Sequence, residues 1–333
     1  MIMTTTLKTA FGGGLRVTLA AALLACSSVA ALAATELKIG HGHSEQHSFH
    51  LALEKFAELL EEKAPGTFDV SIFANAQLGS EREMQEQLTF GGLEMTVTGV
   101  LGIYEPKLAL MELPFLFRDR DHVLAAQHSE PVTNLVADLP SKGLRLVGFL
   151  ENGFRNITNS VRPINAPGDV NGLKIRTPEN QAQIETFRAL GAQPTPMPFS
   201  ELYAALRQGV VDGQENPLQN IHDGKLYEAQ AHLALTGHIY NSAYVVVSEA
   251  FFQGLPADAQ EALLAAADEA GEWQLYYMAE RDGELLQMLR DEGMEVSEPD
   301  KDAFLEATAP AYDVFYQQYG DEARDFVTAI QGL

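Results

Sequence analysis

Residues 36–73 read ELKIGHGHSEQHSFHLALEKFAELLEEKAPGTFDVSIF, and their pattern decides the fold class. Glu36–Gly40 alternates as a short strand, and the polar segment His41–His47 follows as a loop. Ser48 is a plausible N-cap for a helix to Lys63, whose apolar residues Phe49, Ala52, Leu53, Phe56, Leu59 and Leu60 keep the 3.6-residue period. Ala64-Pro65-Gly66 stops that helix, and Asp69–Phe73 alternates as a second strand. Further on, Ser80 with Glu83 predicts a capping box, opening a helix that ends at Gly91-Gly92. Met95–Val100 predicts a third strand. This strand–helix–strand–helix–strand rhythm predicts an α/β sheet with parallel strands.

The rhythm returns after residue 140. Strands are expected at Leu144–Leu150, Leu173–Arg176, Val210–Gly213 and Tyr244–Ser248. Helices are expected at Gln181–Leu190 and from an N-cap at Ser200 to Gly209, with an extended, Pro-punctuated segment between them. Ala257–Glu292 is one long helical pattern, about 1.5 Å per residue and so roughly 54 Å if continuous. Gly271 and Gly283 leave a bent helix or two shorter ones as the alternative. The tail from Lys301 is helical, with an aromatic face that includes Phe304, Tyr312, Phe315 and Tyr316. Two α/β halves imply a cleft, and ligands of open α/β sheets bind beyond the carboxyl ends of the strands. The loops His41–His47, Thr98–Leu101, Asn152–Arg155, Arg176–Asn180 and Gly213–Pro217 are expected there.

The N-terminus reads differently. Lys8 and Arg16 precede an apolar stretch, and Ala31-Leu32-Ala33 gives a small-x-small cleavage pattern, so residues 1–33 read as an export signal cut near Ala33. Cys26 sits in a lipobox-like Leu23-Leu24-Ala25-Cys26, but lipidation there would leave an apolar stub in place of a polar tether. Among 333 residues, Asp+Glu 46 against Lys+Arg 22 gives a net charge of −24, which argues against a nucleic-acid partner, because binding one needs a basic footprint on the protein. One cysteine excludes an intrachain disulfide framework.

Enzyme signatures are absent: there is no G-x-S-x-G, P-loop, H-E-x-x-H or G-x-G-x-x-G. His41, His43, His47 and His50 fall within ten residues, yet their spacing matches no specific zinc signature. Arginine is scarce, and Arg155 and Arg176 are both expected at strand ends, where a planar guanidinium takes a carboxylate bidentately. Val211-Asp212-Gly213-Gln214-Glu215-Asn216-Pro217 is the most distinctive string, with Asn216 held extended before Pro217.

At that string the chain resembles the extracytoplasmic solute-binding proteins of TRAP transporters, of the dicarboxylate-binding type. The resemblance covers nearly all of residues 36–333. It is carried by Gln77-Leu78-Gly79, Leu113–Phe117, Gly172–Arg176, Gly191–Met197, Phe199–Tyr203 and Val211–Pro217 in that order. It implies a two-lobed periplasmic-binding-protein fold, each lobe a β-sheet flanked by helices, with the long helix spanning both. The lobes would be 34–153 plus about 242–281, and 154–241 plus about 282–310, with a C-terminal helical segment at 311–333. The family's carboxylate-gripping arginine falls on Arg176, a second ligand-contacting arginine on Arg155, its pocket asparagine on Asn216 and its cleft aromatic on Phe199. His238 matches a polar contact of some members. From the first lobe, the His41–His47 loop with His43, Gln46 and His47, together with Glu81, would complete the site.

The implied activity is periplasmic capture of an organic acid anion and its delivery to membrane permease subunits. The acid would be a C4-dicarboxylate, a hydroxy or keto acid, or a sugar acid such as a uronate. A monomer with no cofactor, no metal and no enzymatic turnover is expected. The alternatives are a metal-binding receptor and a secreted carboxylate-processing enzyme. Thr98-Gly99-Val100-Leu101-Gly102 lacks the acidic residue and arginine of sialic-acid binders, which argues against that ligand.

Overall fold

The computed structural model describes residues 34–333; the expected export signal and Cys26 lie outside the described residues. The first part of the chain forms β1 (Thr35–Gly40), α1 (Ser48–Lys63), β2 (Phe68–Phe73), α2 (Glu81–Phe90), β3 (Met95–Thr98), α3 (Arg120–Gln127) and α4 (Glu130–Val136). The middle forms β4 (Leu144–Asn159), β5 (Lys174–Thr177), α5 (Gln181–Ala189), β6 (Gln193–Pro196), α6 (Phe199–Arg207), β7 (Gly213–Asn216) and α7 (Leu218–Asp223). The rest forms β8 (His232–Ser248), α8 (Glu249–Gly254), α9 (Ala257–Asp291), β9 (Glu295–Ser297), α10 (Lys301–Thr308), α11 (Pro310–Tyr319) and α12 (Asp321–Gln331).

The strands share one mixed sheet in the order β2-β1-β3-β8-β4-β7-β5-β6, with β9 beside β8. Its two ends are parallel, as the alternating rhythm predicts. Its centre is antiparallel, because two long strands, β4 and β8, pair along their whole length and pass through both halves. Sequence periodicity showed only the ends of these strands. The β4–β8 register shifts between Leu146 and Gly148, Glu151 and Gly153, and Arg155 and Ile157. Each shift reverses the phase of inward and outward residues, so a 16-residue strand does not look like one in sequence. Asn152–Arg155 is therefore strand rather than loop. The short strand expected at Val210–Gly213 is displaced onto Gly213–Asn216, which pairs with Asn156–Asn159 of β4. Gly213 is required there, since a Cβ would lie 2.2 Å from the Thr158 carbonyl oxygen.

Two helix starts also differ from expectation. His47, not Ser48, caps α1, its Nδ1 accepting from the Phe49 N–H. Pro198, not Ser200, is the N-cap of α6. The Ser80–Glu83 capping box of α2 is present, and Gly91 closes that helix in the left-handed conformation.

α9 is a single helix of 35 residues. Gly271 does not break it; it lets the helix touch β4, for a Cβ there would lie 2.3 Å from the Phe149 carbonyl oxygen. Towards its start, Leu263, Ala266 and Ala270 pack with Phe49 and Phe56 of α1 against β1, β3 and β8. Towards its end, Leu289 joins Leu202, Leu206 and Ile221 of the other half. α9 thus enters the cores of both halves. The tail folds as three helices, and Phe315, Phe326 and Ile330 close the core over Leu110 and Leu113. No helix of the described residues is long and apolar enough to cross a membrane.

Candidate functional site

The histidine loop folds onto itself. His43 N–H donates to His41 Nδ1 at 3.3 Å, and His41 Nε2 lies 3.0 Å from His50 Nδ1. Burial first, and the neighbouring His47 and His50 next, push His41 down to about 3, so its imidazole is neutral. His43 stacks on His47 with ring centroids 4.1 Å apart and also meets Phe199 at 4.9 Å. His47 Nε2 donates to Asn220 Oδ1 at 2.9 Å. The ring nitrogens of His41 and His47 are committed to internal bonds. Among the described residues, no group of three or more His, Cys, Asp or Glu is placed to hold a metal ion.

Behind this loop lies a polar network built by β4, β7, α7 and β8. Arg155, 1% exposed, points from β4 to Glu215 of β7. Its Nε donates to Glu215 Oε2 at 2.5 Å, and its terminal Nη2 donates to Glu215 Oε1 at 2.9 Å. The same Nη2 donates to the Glu215 carbonyl at 2.7 Å and to Asn216 Oδ1 at 3.1 Å. His238 Nε2 stands 3.3 Å from Glu215 Oε2. Burial would raise the Glu215 carboxyl, but Arg155 and His238 hold it below the usual range, so it stays ionised. Asn220 Nδ2 donates to Asn152 Oδ1 and Asn216 Oδ1, and Asn152 Nδ2 donates to Asn241 Oδ1. Through His47 and Asn220 the network joins the N-terminal loop to the opposite half.

Arg176, 2% exposed, is placed differently. Its Nε and Nη2 both donate to the Met197 carbonyl, at 3.0 and 2.7 Å. Its guanidinium sits 6.0 Å from the Phe199 ring centre. Among the described residues no carboxylate oxygen lies within 4.0 Å of it. Burial, and then the charge of Arg155, lower it to about 10, the reverse of what an ion pair does. It borders a partly open cleft of about 50 Å³ that Gly42, Glu81, Gly99 and Val100 line from one half and Met197 and Phe199 from the other. Glu81, the first residue of α2, is fixed there by Thr98 Oγ1 and the Gly99 N–H, which donate to its Oε2 at 2.7 and 3.0 Å.

Of the residues expected at the site, Arg155, Asn216, His238, His47 and His43 converge in or on the network, while Arg176, Phe199 and Glu81 line the cleft. Gln46 is exposed and is not among the cleft-lining residues. The two arginines, expected to act alike, differ: one is paired with Glu215, the other faces the cleft unpaired. Sequence reasoning passed over Glu215, Asn220, Asn241 and Glu112. Glu215 stood beside Asn216 in the singled-out string; the other three carry no local signal. Glu112, buried, accepts from Gln183 Nε2 at 2.9 Å and is pushed up to about 8, chiefly by burial against the pull of Arg155.

A family model described as "Bacterial extracellular solute-binding protein, family 7" matches residues 39–319. The 2,3-diketo-L-gulonate-binding periplasmic protein of Escherichia coli is 36% identical over 287 residues, 85% of this chain and 88% of that protein. The C4-dicarboxylate-binding periplasmic protein of Rhodobacter capsulatus is 32% identical over 277 residues, 80% of this chain and 82% of that protein. A solved TRAP periplasmic solute-binding protein from Polaromonas, bound to D-erythronate, superposes with a TM-score of 0.85 at 35% identity. That match covers 90% of this chain and 99% of the other.

Proposed function

From the premise that the chain belongs to the bacterial extracellular solute-binding protein family 7, of the TRAP type, we propose that Arg176 grips the carboxylate of its organic acid. One observation carries this assignment: a buried guanidinium with no ionic partner among the described residues, bordering a space that both halves line. Leaving such a charge unpaired is costly, and an incoming carboxylate relieves that cost through two charge-assisted hydrogen bonds. Arg155 acts behind it, paired with Glu215 and donating to Asn216 and Asn241, so that this polar network stays rigid. Phe199 packs against the bound acid, and His43 and His47 close over it from the other half.

The acids of the named relatives, a diketogulonate, a C4-dicarboxylate and an erythronate, all offer the carboxylate that Arg176 requires. The lobes are residues 34–153 with about 242–281, and 154–241 with about 282–310, and they close by hinge motion where β4 and β8 run between them. The closed monomer, exported to the periplasm, is recognised by membrane permease subunits; members of this family are receptors rather than enzymes. Isothermal titration of wild type and Arg176→Gln with a panel of organic acids tests the assignment. The variant is expected to lose binding of every acid the wild type takes while keeping its unfolding temperature. Undiminished affinity in the variant refutes it.

A further inference from the structure

Glu112 ends the 3₁₀ turn Pro106–Glu112 of the first lobe and is 1% exposed. From the second lobe, Gln183 of α5 donates from Nε2 to Glu112 Oε2 at 2.9 Å. Arg155 of β4 favours the ionised form of this carboxyl, although the Nε and Nη2 of that guanidinium already serve the Glu215 carboxylate. Glu215 of β7 and Glu81 of α2 oppose ionisation, and Asn241 of β8 favours it. Tyr244 of β8, whose buried hydroxyl has no partner among the described residues, is itself pushed up by burial and then by the Glu112 charge. α4 and α12 pack apolar residues, Leu135 and Phe326 among them, on the same turn. Among the described residues no Lys, Arg or His nitrogen lies within 4.0 Å of the Glu112 oxygens.

The Gln183 amide distinguishes the two forms of its partner. Its Oε1 is buried and has no hydrogen-bond partner among the described residues. A carboxylic acid pairs with a carboxamide through two hydrogen bonds, accepting from the N–H and donating its O–H to the carbonyl, whereas a carboxylate only accepts. Protonated Glu112 therefore carries the donor that Gln183 Oε1 lacks.

We propose that capture of the organic acid anion is coupled to uptake of one proton by Glu112, so that the receptor takes up anion and proton together. This rests on hinged closure of the two lobes over the acid. When the lobes part, Gln183 moves away and water reaches the Glu112 carboxyl, which then ionises in its ordinary range near 4.5. When they close, burial returns it to about 8, so between those values closure draws a proton from solvent and binding strengthens as pH falls. The incoming carboxylate brings a further negative charge into the same desolvated interior and acts in the same direction. His43 and His47 act with the opposite sign: burial holds both below the ordinary value of about 6.5, so closure expels protons from them only on the acid side of neutrality. Glu81, also raised by burial, is separated from Glu112 by comparing wild type with Glu112→Gln.

The test is calorimetric titration of the purified protein with D-erythronate, D-gluconate, D-glucuronate and succinate at pH 7.5, in phosphate, HEPES and Tris. These buffers differ in ionisation enthalpy, so the slope of observed enthalpy against it counts the protons taken up, and the probes themselves are already ionised. For an acid that binds, wild type should take up about 0.5–1 proton and Glu112→Gln close to none. The Gln side chain offers an N–H where protonated Glu112 offers its O–H, so the variant should bind as tightly at pH 8.5 as at pH 7. Wild type should weaken about 5- to 10-fold over the same interval. Uptake by wild type below about 0.2 proton, or equal uptake by the two proteins, overturns the coupling while leaving the receptor reading in place. The wild-type count decides this by itself if the variant does not fold. No acid bound by wild type, or no compaction in small-angle scattering when an acid binds, instead overturns the capture and closure beneath it.

Discussion

Removing each buried arginine separates their roles. Arg155→Met deletes donors to both Glu215 carboxylate oxygens, the Glu215 carbonyl and Asn216 Oδ1. It strands an ionised carboxylate that is fully buried, with His238 Nε2 at 3.3 Å as its remaining polar neighbour among the described residues. Breaking one side of a buried pair costs about 3–5 kcal/mol, a fall in Tm of about 6–10 °C for a chain of this size. Arg155→Met combined with Glu215→Leu removes both charges and should recover most of that loss, because the desolvation cost disappears with the pair. Arg176→Met behaves in the opposite way. It leaves the Met197 carbonyl without its donor, about 1–3 kcal/mol, but also relieves the folded state of an unpaired buried cation. The two effects offset to within about 1 kcal/mol. Urea and thermal unfolding of the four proteins in ligand-free buffer, followed by circular dichroism, measure these differences. Equal losses for the two single variants, or less than about 1 kcal/mol for Arg155→Met, would refute the division of labour between the arginines.

The glycines of α9 make a paired prediction. Gly271→Ala places a Cβ 2.3 Å from the Phe149 carbonyl and should destabilise by about 1–3 kcal/mol, whereas Gly283→Ala meets no atom within 4 Å and should stabilise by about 0.5–1 kcal/mol; unfolding curves decide both signs. Glu112 gives a pH dependence. Its carboxyl titrates near 8 when folded and near 4.5 when unfolded, so between those values the native state binds the extra proton and stability falls as pH rises. Glu112→Gln keeps an acceptor for Gln183 and should remove up to about 1.4 kcal/mol per pH unit of that slope, read from unfolding at pH 5 through 8.

Much of the fold was visible along the chain. The strands β1, β2, β3 and β5 and the helices α1, α2, α5 and α9 follow from alternation, period and capping, because each is regular along its own length and buries one face. The centre of the sheet was not visible. β4 and β8 acquire their length from pairing with each other, about 90 residues apart, and their bulges scramble the alternation that would have announced them.

The site divides along the same line. Composition and motif singled out a few basic residues, Arg176 and Arg155 among them, and Asn216; the family resemblance added Phe199. They could not say which arginine is free. A guanidinium's availability depends on which carboxylate the fold brings within about 3 Å, and Glu215 reaches Arg155 only because β7 pairs antiparallel with β4. Sequence determined the residue types of the cleft. Only the tertiary structure decided which charges cancel inside the protein and which are left for a ligand, since in a desolvated interior that balance is set by distances of a few ångströms.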